Sequence, residues 1–482
     1  MKQNTIDNQN NLQRTQVETK PFTAKKIIGT VLTVALYLGI ASSAHAQFSV
    51  LYNFGSVSGD PVRGVNPGFI AQGRDGNLYS TTVSGGSDGP GTVFKITPAA
   101  KLTVLYSFNG TDGSVPYAGL TLGTDGNFYG GAIEGGPNGY GMVFKVTPKG
   151  VLTLLHGFDD SDGAQPFGAP IEGTNGAFYG TTETGGTSNC GTVYKVTSAG
   201  VFQSLYNFDS TQGCAPYSPL TLGSDGNFYG TTASGGSNGF GTVFKITPAG
   251  HFTLLHSFGY SDGVGPFAGL IEASDGKLYG TTYDGGAYIA GTIFEITRTG
   301  TFSVIHNFYP HVQDGSTPLS GLVQGSDGNL YGTTSEGGTS NAGTIYVISP
   351  GGASYSVLYN FDGVTAAQPE AGLSQNTNGI LYGDTYTGGS AGYGAFFSFD
   401  NALRPFVSPV PSFGAVGKTI GILGQGFTGT TAVSSNGTRA TFHVASSTYL
   451  TATVPSGAMT GRITVTTPSR VLKSNQVFRV TP

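Results

Sequence analysis

Charge is what this sequence has least of. Among 482 residues, Asp and Glu supply 27 and Lys and Arg 22, so charged residues make up 10 % of the chain. Soluble proteins ordinarily carry about 25 %. The net charge is −5, and no basic run stands outside the N-terminus, which excludes the electrostatic footprint of a nucleic-acid-binding protein. Low charge with abundant Gly, Thr and Tyr suits strands joined by tight turns, and it argues against helices, which want Ala, Leu, Glu, Lys and Arg. Tryptophan is absent and cysteine occurs twice, so no cysteine-rich zinc spacing can form. No P-loop, nucleophile elbow or dinucleotide fingerprint appears. After Ala46 no apolar run is long enough to span a bilayer.

The N-terminus reads as an address. Lys25 and Lys26 precede the apolar run Ile27 to Ile40, and Ala44-His45-Ala46 follows. This is the pattern of a secretory signal. Residues 1–46 are expected to be a signal peptide with a polar N-terminal extension, cleaved after Ala46. The mature chain is expected in the periplasm, at the cell surface or outside the cell, not transmembrane, and a monomer.

Glycine is the abundant residue, with 80 copies, and it marks a repeat. "SDGNFYGTTASGGSNGFGTVFKITPAG", Ser224 to Gly250, recurs along the chain. Its tyrosine returns at Tyr79, Tyr129, Tyr179, Tyr229, Tyr279, Tyr331 and Tyr382, in steps of 50, 50, 50, 50, 52 and 51 residues. A Gly-Gly pair begins six residues after each. Every unit holds four strand candidates, for example Phe267–Ile271, Lys277–Thr281, Gly291–Thr297 and Phe302–Phe308, separated by Asp-Gly and Thr-Gly turns. Four antiparallel strands per unit of about 50 residues predict a β-propeller blade. The element Val50–Phe54 matches a fourth strand but precedes any first strand, while the last unit ends at Phe399 without its fourth. The fold is therefore expected to be all-β: a seven-bladed β-propeller over residues 47–401, closed by the N-terminal strand. Closure in this way removes two exposed sheet edges.

The skeleton "LYGTT..GG...GTVFKITPAG.FTLLHSF" resembles the Gloeobacter–Verrucomicrobia tandem repeat of exported bacterial proteins, over about residues 47–400. The resemblance implies a secreted repeat protein and carries no activity. The order of elements is also similar to kelch repeats, in architecture alone. Beyond Asn401 the pattern changes. Alternating Thr, Val and Ile runs broken by Gly and Pro predict an Ig-like β-sandwich over residues 405–482 that folds independently. It resembles an IPT/TIG domain: Gly424-Gln425-Gly426-Phe427 and Thr453-Val454-Pro455 stand at that family's motifs, and Ser435-Asn436-Gly437 replaces its F-N-G.

Few residues offer chemistry. His156, His256 and His306 share a slot with Tyr52, Tyr106, Tyr206 and Tyr359, so they read as fourth-strand packing. Cys190 lies between the second and third strands of one unit, and Cys214 lies in the loop entering the next. In a propeller these loops share a face, so a disulfide is expected. Carboxylates Glu134, Glu183, Asp284 and Glu336 stand near the Gly-Gly pairs, and Asp112, Asp160, Asp162, Asp262 and Asp314 lie in the entry loops. Three readings stay open: turn chemistry, Ca²⁺ held by Asp160, Asp162 and Asp262, and a glycosidase pair. No cofactor is otherwise implied. Tyr140, Phe240, Tyr288 and Tyr393 should stand on the same loop face, where aromatic rings among hydroxyl and amide groups suit sugars or a partner's loops. The expected function is a secreted or cell-surface binding or structural module whose partner is a polysaccharide or a cell-surface protein. The alternative is a polysaccharide-active lyase or glycosidase with its site at the central mouth.

Overall fold

A computed structural model describes residues 46–63, 70–310 and 314–481. The signal-peptide reading lies almost entirely outside them. Strands dominate, and the one helical turn among the described residues is Pro350–Gly352. No helix among them is long and apolar enough to cross a membrane.

The repeats form seven four-stranded antiparallel sheets among the described residues, in a propeller-like array. We number them by their tyrosines, sheet 1 holding Tyr79 and sheet 7 Tyr382. Sheet 4 is representative, with strands Thr221–Leu222, Phe228–Thr232, Thr242–Ile246 and Phe252–Ser257. Sheet 7 takes its fourth strand from the N-terminus: Gln47–Asn53 runs antiparallel to Ala395–Asp400, with Ser49 opposite Ser398. First strands are shorter than the sequence suggests. In sheet 5 the strand is only Ile271–Glu272, and Phe267–Leu270 lies outside the ladder. Gly265 there is left-handed, at φ +62°, and Pro266 brings no N–H to a ladder.

Each letter of the repeated phrase has a physical task. Asp225 accepts hydrogen bonds from Asn227 N (3.1 Å), Asn227 Nδ2 (2.8 Å) and the Tyr229 hydroxyl (2.8 Å). The turn and the buried tyrosine thus specify each other. Tyr79, Tyr129, Tyr279 and Tyr331 donate to Asp75, Asp125, Asp275 and Asp327 in the same way. In sheets 3 and 7 asparagine takes the aspartate's place and donates to the tyrosine instead. Gly230 has no Cβ because one would sit 2.5 Å from the Phe244 ring. Thr231 reaches the next sheet, donating to Ala268 O at 3.0 Å, while Thr232 meets Thr242 across the ladder at 2.8 Å. In sheet 2 that last pair becomes Ala132 opposite Met142, so both hydroxyls leave together and neither is orphaned.

Aromatic stacking joins successive sheets. Tyr79 lies on Phe128, Tyr129 on Phe178 and Tyr179 on Phe228, with centroids 4.1, 3.6 and 4.2 Å apart. Sheet 7 packs on sheet 1 through Phe54 and Phe396 against Phe94, at 5.9 and 6.1 Å.

The tail is an Ig-like sandwich of two four-stranded sheets around Ile422, Phe427, Val433, Leu450, Val465 and Phe478. It rests on the Asp-Gly turns of the array. Thr448 Oγ1 donates to Arg74 O (2.8 Å), the Arg74 guanidinium covers Tyr449 (4.7 Å), and Gln425 Nε2 reaches Thr377 Oγ1 (3.1 Å). The opposite face, built of Gly-Gly loops and entry loops, carries no such contact with the tail among these bonds.

Candidate functional site: the loop face

The loops of this face are pinned by one recurring device. The residue before the entry proline is left-handed, and it is not glycine in five cases: Val115, Gln165, Ala215, Thr317 and Gln368 have φ between +54° and +59°. Arg63, which Gly64 follows, shares that conformation at φ +59°. That backbone is costly, most of all for β-branched Val115 and Thr317. Two hydrogen bonds hold it. Gln165 N donates to Tyr140 O of the preceding sheet's loop (2.9 Å), and Gln165 O accepts from Glu183 N of its own sheet (3.0 Å). Arg63 N donates likewise to Tyr393 O across sheets 1 and 7 (3.1 Å).

The residue after the entry proline is aromatic in four successive sheets. Tyr117, Phe167, Tyr217 and Phe267 form an unbroken row with centroids 5.0, 4.6 and 5.1 Å apart. Phe267 meets Tyr283 edge-on at 5.5 Å, and Tyr283 is 39 % exposed. In sheet 7 the same slot holds Glu370. Burial, then Glu370, Tyr386 and Tyr217, push the Tyr117 hydroxyl well above its ordinary range. The Tyr117 hydroxyl of sheet 2 thus lies within electrostatic reach of groups from sheets 4 and 7. Beside them Arg63 donates to the Tyr386 hydroxyl (2.8 Å) and lies over its ring (4.9 Å). Burial raises Glu183 despite the hydrogen bond it accepts from Tyr217. The result is a row of rings flanked by two carboxylates and a guanidinium, in a chain that carries little charge elsewhere. None of the ring row was anticipated from sequence, because a post-proline apolar residue reads as the start of a strand. The recurring Pro-Tyr and Pro-Phe pairs in four neighbouring units were the available signal.

Tyr140, Tyr288 and Tyr393 stand exposed on this face, at 44, 52 and 43 %. Phe240 does not: it is half-buried against a core cluster and packs edge-on to Tyr260. Tyr260 and Tyr309, which the repeat pattern hides as single exceptions, are exposed instead, and Tyr309 lies 4.8 Å from Tyr288. Glu134, Glu183, Asp284 and Glu336 sit one to a sheet. Asp284 caps Gly285 N (2.7 Å), Glu336 accepts from Thr317 (3.3 Å), and Glu134 is exposed.

Of the candidate calcium ligands, Asp160 and Asp162 share one entry loop and Asp262 stands in another. Asp162 accepts from His156 at 2.7 Å and Asp262 from His256 at 3.1 Å, in loops following different sheets. Asp314 pairs with His306 (3.3 Å), and Asp112 with Tyr106. Among the described residues no group of three or more His, Cys, Asp or Glu could hold a metal. The spacing of six residues in the first two His–Asp pairs and in Tyr106–Asp112 was visible in the sequence. Each histidine also stacks flat on the next sheet: His156 on Phe202, His256 on Phe302 and His306 on Tyr355, at 3.6, 3.8 and 3.8 Å.

These locks set the response to acid. Burial holds His256 below its ordinary range, against the pull of Asp262. The folded state binds that proton less readily than the unfolded chain. Its contribution is therefore full above about pH 6.5 and falls as the pH drops through the lower folded value. Burial would raise Asp225, but hydrogen bonds from Asn227 and Tyr229 outweigh it, and His306 and Tyr355 do the same for Asp314. Those carboxylates add stability above about pH 4 that is lost below it. Melting temperature should thus hold from pH 8 to 7, ease below about 6.5 and fall steeply below about 4. His256→Tyr, which copies the residue of four other sheets, should remove part of the first decline. A melting temperature that rises from pH 7 to 5 contradicts the assignment.

Cys190 and Cys214 form a disulfide between the second-to-third-strand loop of sheet 3 and the loop entering sheet 4, with Cα atoms 4.5 Å apart. The loop it closes suggests a stabilisation of roughly 3 kcal/mol. Non-reducing peptide mapping should find the linked pair, and reduction should lower the melting temperature without unfolding the other sheets. Free thiols at both positions after oxidative purification contradict the pairing.

A sequence profile described as the Gloeobacter/Verrucomicrobia repeat matches residues 37–223 and 211–397, and an IPT/TIG profile matches residues 406–480. No curated protein matches the chain. Among solved structures it is similar to the extracellular domain assigned to a one-component system of B. thetaiotaomicron, at 10 % identity and TM-score 0.46, over 89 % of this chain and 47 % of that one. It is also similar to a gluconolactonase of Xanthomonas campestris, at 13 % identity and TM-score 0.37, over 60 % of this chain and 86 % of that one.

Proposed function

This chain belongs to the Gloeobacter/Verrucomicrobia repeat family and ends in an IPT/TIG domain, and from that premise we propose that it is an exported carbohydrate-binding module acting through the loop face. The seven sheets are the blades of a closed β-propeller over residues 47–401. Support for closure comes from the N-terminal strand in sheet 7 and from bonds across sheets 7 and 1, where Thr377 N donates to Gln72 Oε1 (3.0 Å) and Gln72 Nε2 donates to Thr377 Oγ1 (2.8 Å). The disulfide suits an oxidising compartment. The tail, residues 405–482, covers the turn face and leaves the loop face to the ligand.

The observation that carries the reading is the aromatic row from Tyr117 to Tyr283, flanked by Glu183, Glu370 and Arg63. Aromatic faces pack against the C–H faces of sugar rings, and carboxylates and a guanidinium take up their hydroxyls. A glycan array probed with residues 47–482 tests this. Binding should be confined to a related set of glycans, and Tyr283→Ala should weaken it about tenfold or more, the worth of one well-placed ring contact. No binding, or binding indifferent to Tyr283→Ala and Glu370→Gln, overturns the proposal. Cleavage of a bound glycan would move the function to the enzymatic alternative.

A further inference from the structure

A cavity lies away from the loop face, where the tail meets the array. It holds about 560 Å³ and is lined by the first strands and turns of sheets 4 to 7 and by the tail. That volume falls within the roughly 300–1,000 Å³ of small-molecule sites. The tail's hydrogen bonds to Arg74, Thr377 and Ser224 land on sheets 1, 7 and 4. The first strands of sheets 5 and 6 are left facing the cavity.

Its chemistry is specific. The polar lining is mostly neutral hydroxyl and amide, as at Ser274, Ser374, Asn475 and Gln476. The carboxylate in the wall, Glu272, is engaged: it accepts from Ser224 N and Oγ at 2.5 and 2.6 Å and faces Arg298 at 3.7 Å. Arg479 is the unbalanced charge. It donates to Ser224 O and is held over the Phe413 ring at 5.9 Å, and both Arg479 and Phe413 line the cavity. No carboxylate among the described residues lies within ion-pair distance of it. A guanidinium has five N–H donors, suited to bidentate binding of a carboxylate.

We propose that this cavity binds a small acidic sugar, a uronic acid in free form or at a chain end. Arg479 takes the carboxylate, and the serine and amide side chains take the hydroxyls. The site is separate from the loop face and does not depend on the function proposed for it.

Calorimetric titration of residues 47–482 with sodium glucuronate, with glucose at matched ionic strength as control, tests this. Glucuronate should bind and glucose should bind at least about tenfold more weakly, the worth of a charge-assisted bond. Arg479→Gln should erase the preference, while Arg479→Lys, which keeps the charge but not the fork, should retain part of it. Tyr283→Ala should leave it unchanged, which separates this site from the loop face. Melting curves of both Arg479 variants establish that they are folded. Absent binding, equal binding of glucose, or a preference that survives in folded Arg479→Gln overturns the proposal.

Discussion

Removing residues 47–56 should lower the melting temperature by roughly 10 °C or more, because sheet 7 loses its fourth strand. The strand pairs from Gln47 opposite Asp400 to Asn53 opposite Ala395. Phe54 is fully buried against Phe94 of sheet 1, and Phe48 stacks on Tyr359 of sheet 6 at 4.3 Å. Deleting one buried phenylalanine costs about 3–5 kcal/mol, and the truncation removes Phe54, the half-buried Phe48 and a row of ladder bonds. It also leaves Ala395–Asp400 as a bare edge, open to pairing with another chain. Calorimetry and light scattering read both consequences. A companion variant, Ser49→Cys with Ser398→Cys, places thiols at opposed positions and should oxidise to a cross-link. Unchanged melting of the truncated chain would mean that the ring is not closed there.

Gly241→Ala should be strongly destabilising, costing about 2–6 kcal/mol from left-handed strain and steric overlap together. Gly241 has φ +100°, and a Cβ there would meet Thr232 O at 2.3 Å and Pro266 Cδ at 2.7 Å. Its carbonyl also accepts from Phe258 N (3.0 Å), which ties the third strand to the exit of the fourth. The obstructing atom is backbone, so no side-chain rotation relieves it. Every unit has glycine at this slot, with Gly191 and Gly394 under still closer backbone atoms. Gly239→Ala is the control: its φ is +83°, but nothing lies within 4 Å of the added carbon. It should cost only the left-handed penalty of about 1–2 kcal/mol. Equal melting of the two variants would contradict this account of the glycine.

The sequence showed most where a residue's task repeats. Tyr229 and its six equivalents, the Gly-Gly pairs and the Asp-Gly turns recur because each sheet needs the same buried ring and the same reversals. Strand number and order followed from them. The Cys190–Cys214 pair was legible for the opposite reason, as two exceptions to the pattern in adjoining loops. The inner margin of the loop face was not legible. Whether Phe240 or Tyr260 faces solvent depends on which ring lies over the other, and both occupy slots that other units fill with unrelated residues. Arg63 and Tyr386 come together from positions more than 300 residues apart, and only the meeting of sheets 7 and 1 makes them neighbours. Asp162 and Asp262 looked like ligands because their partners, His156 and His256, lie six residues earlier on a strand.

Hydrogen exchange with and without the glycan found on the array tests the central claim most directly. The loop face as ligand surface predicts slowed exchange in 115–118, 165–168, 215–218, 265–268 and 283–289. The Asp-Gly turns 224–227 and 274–277 and the tail should be unaffected. Protection confined to the tail, to those turns or to the fourth strands would place the ligand elsewhere and contradict the account.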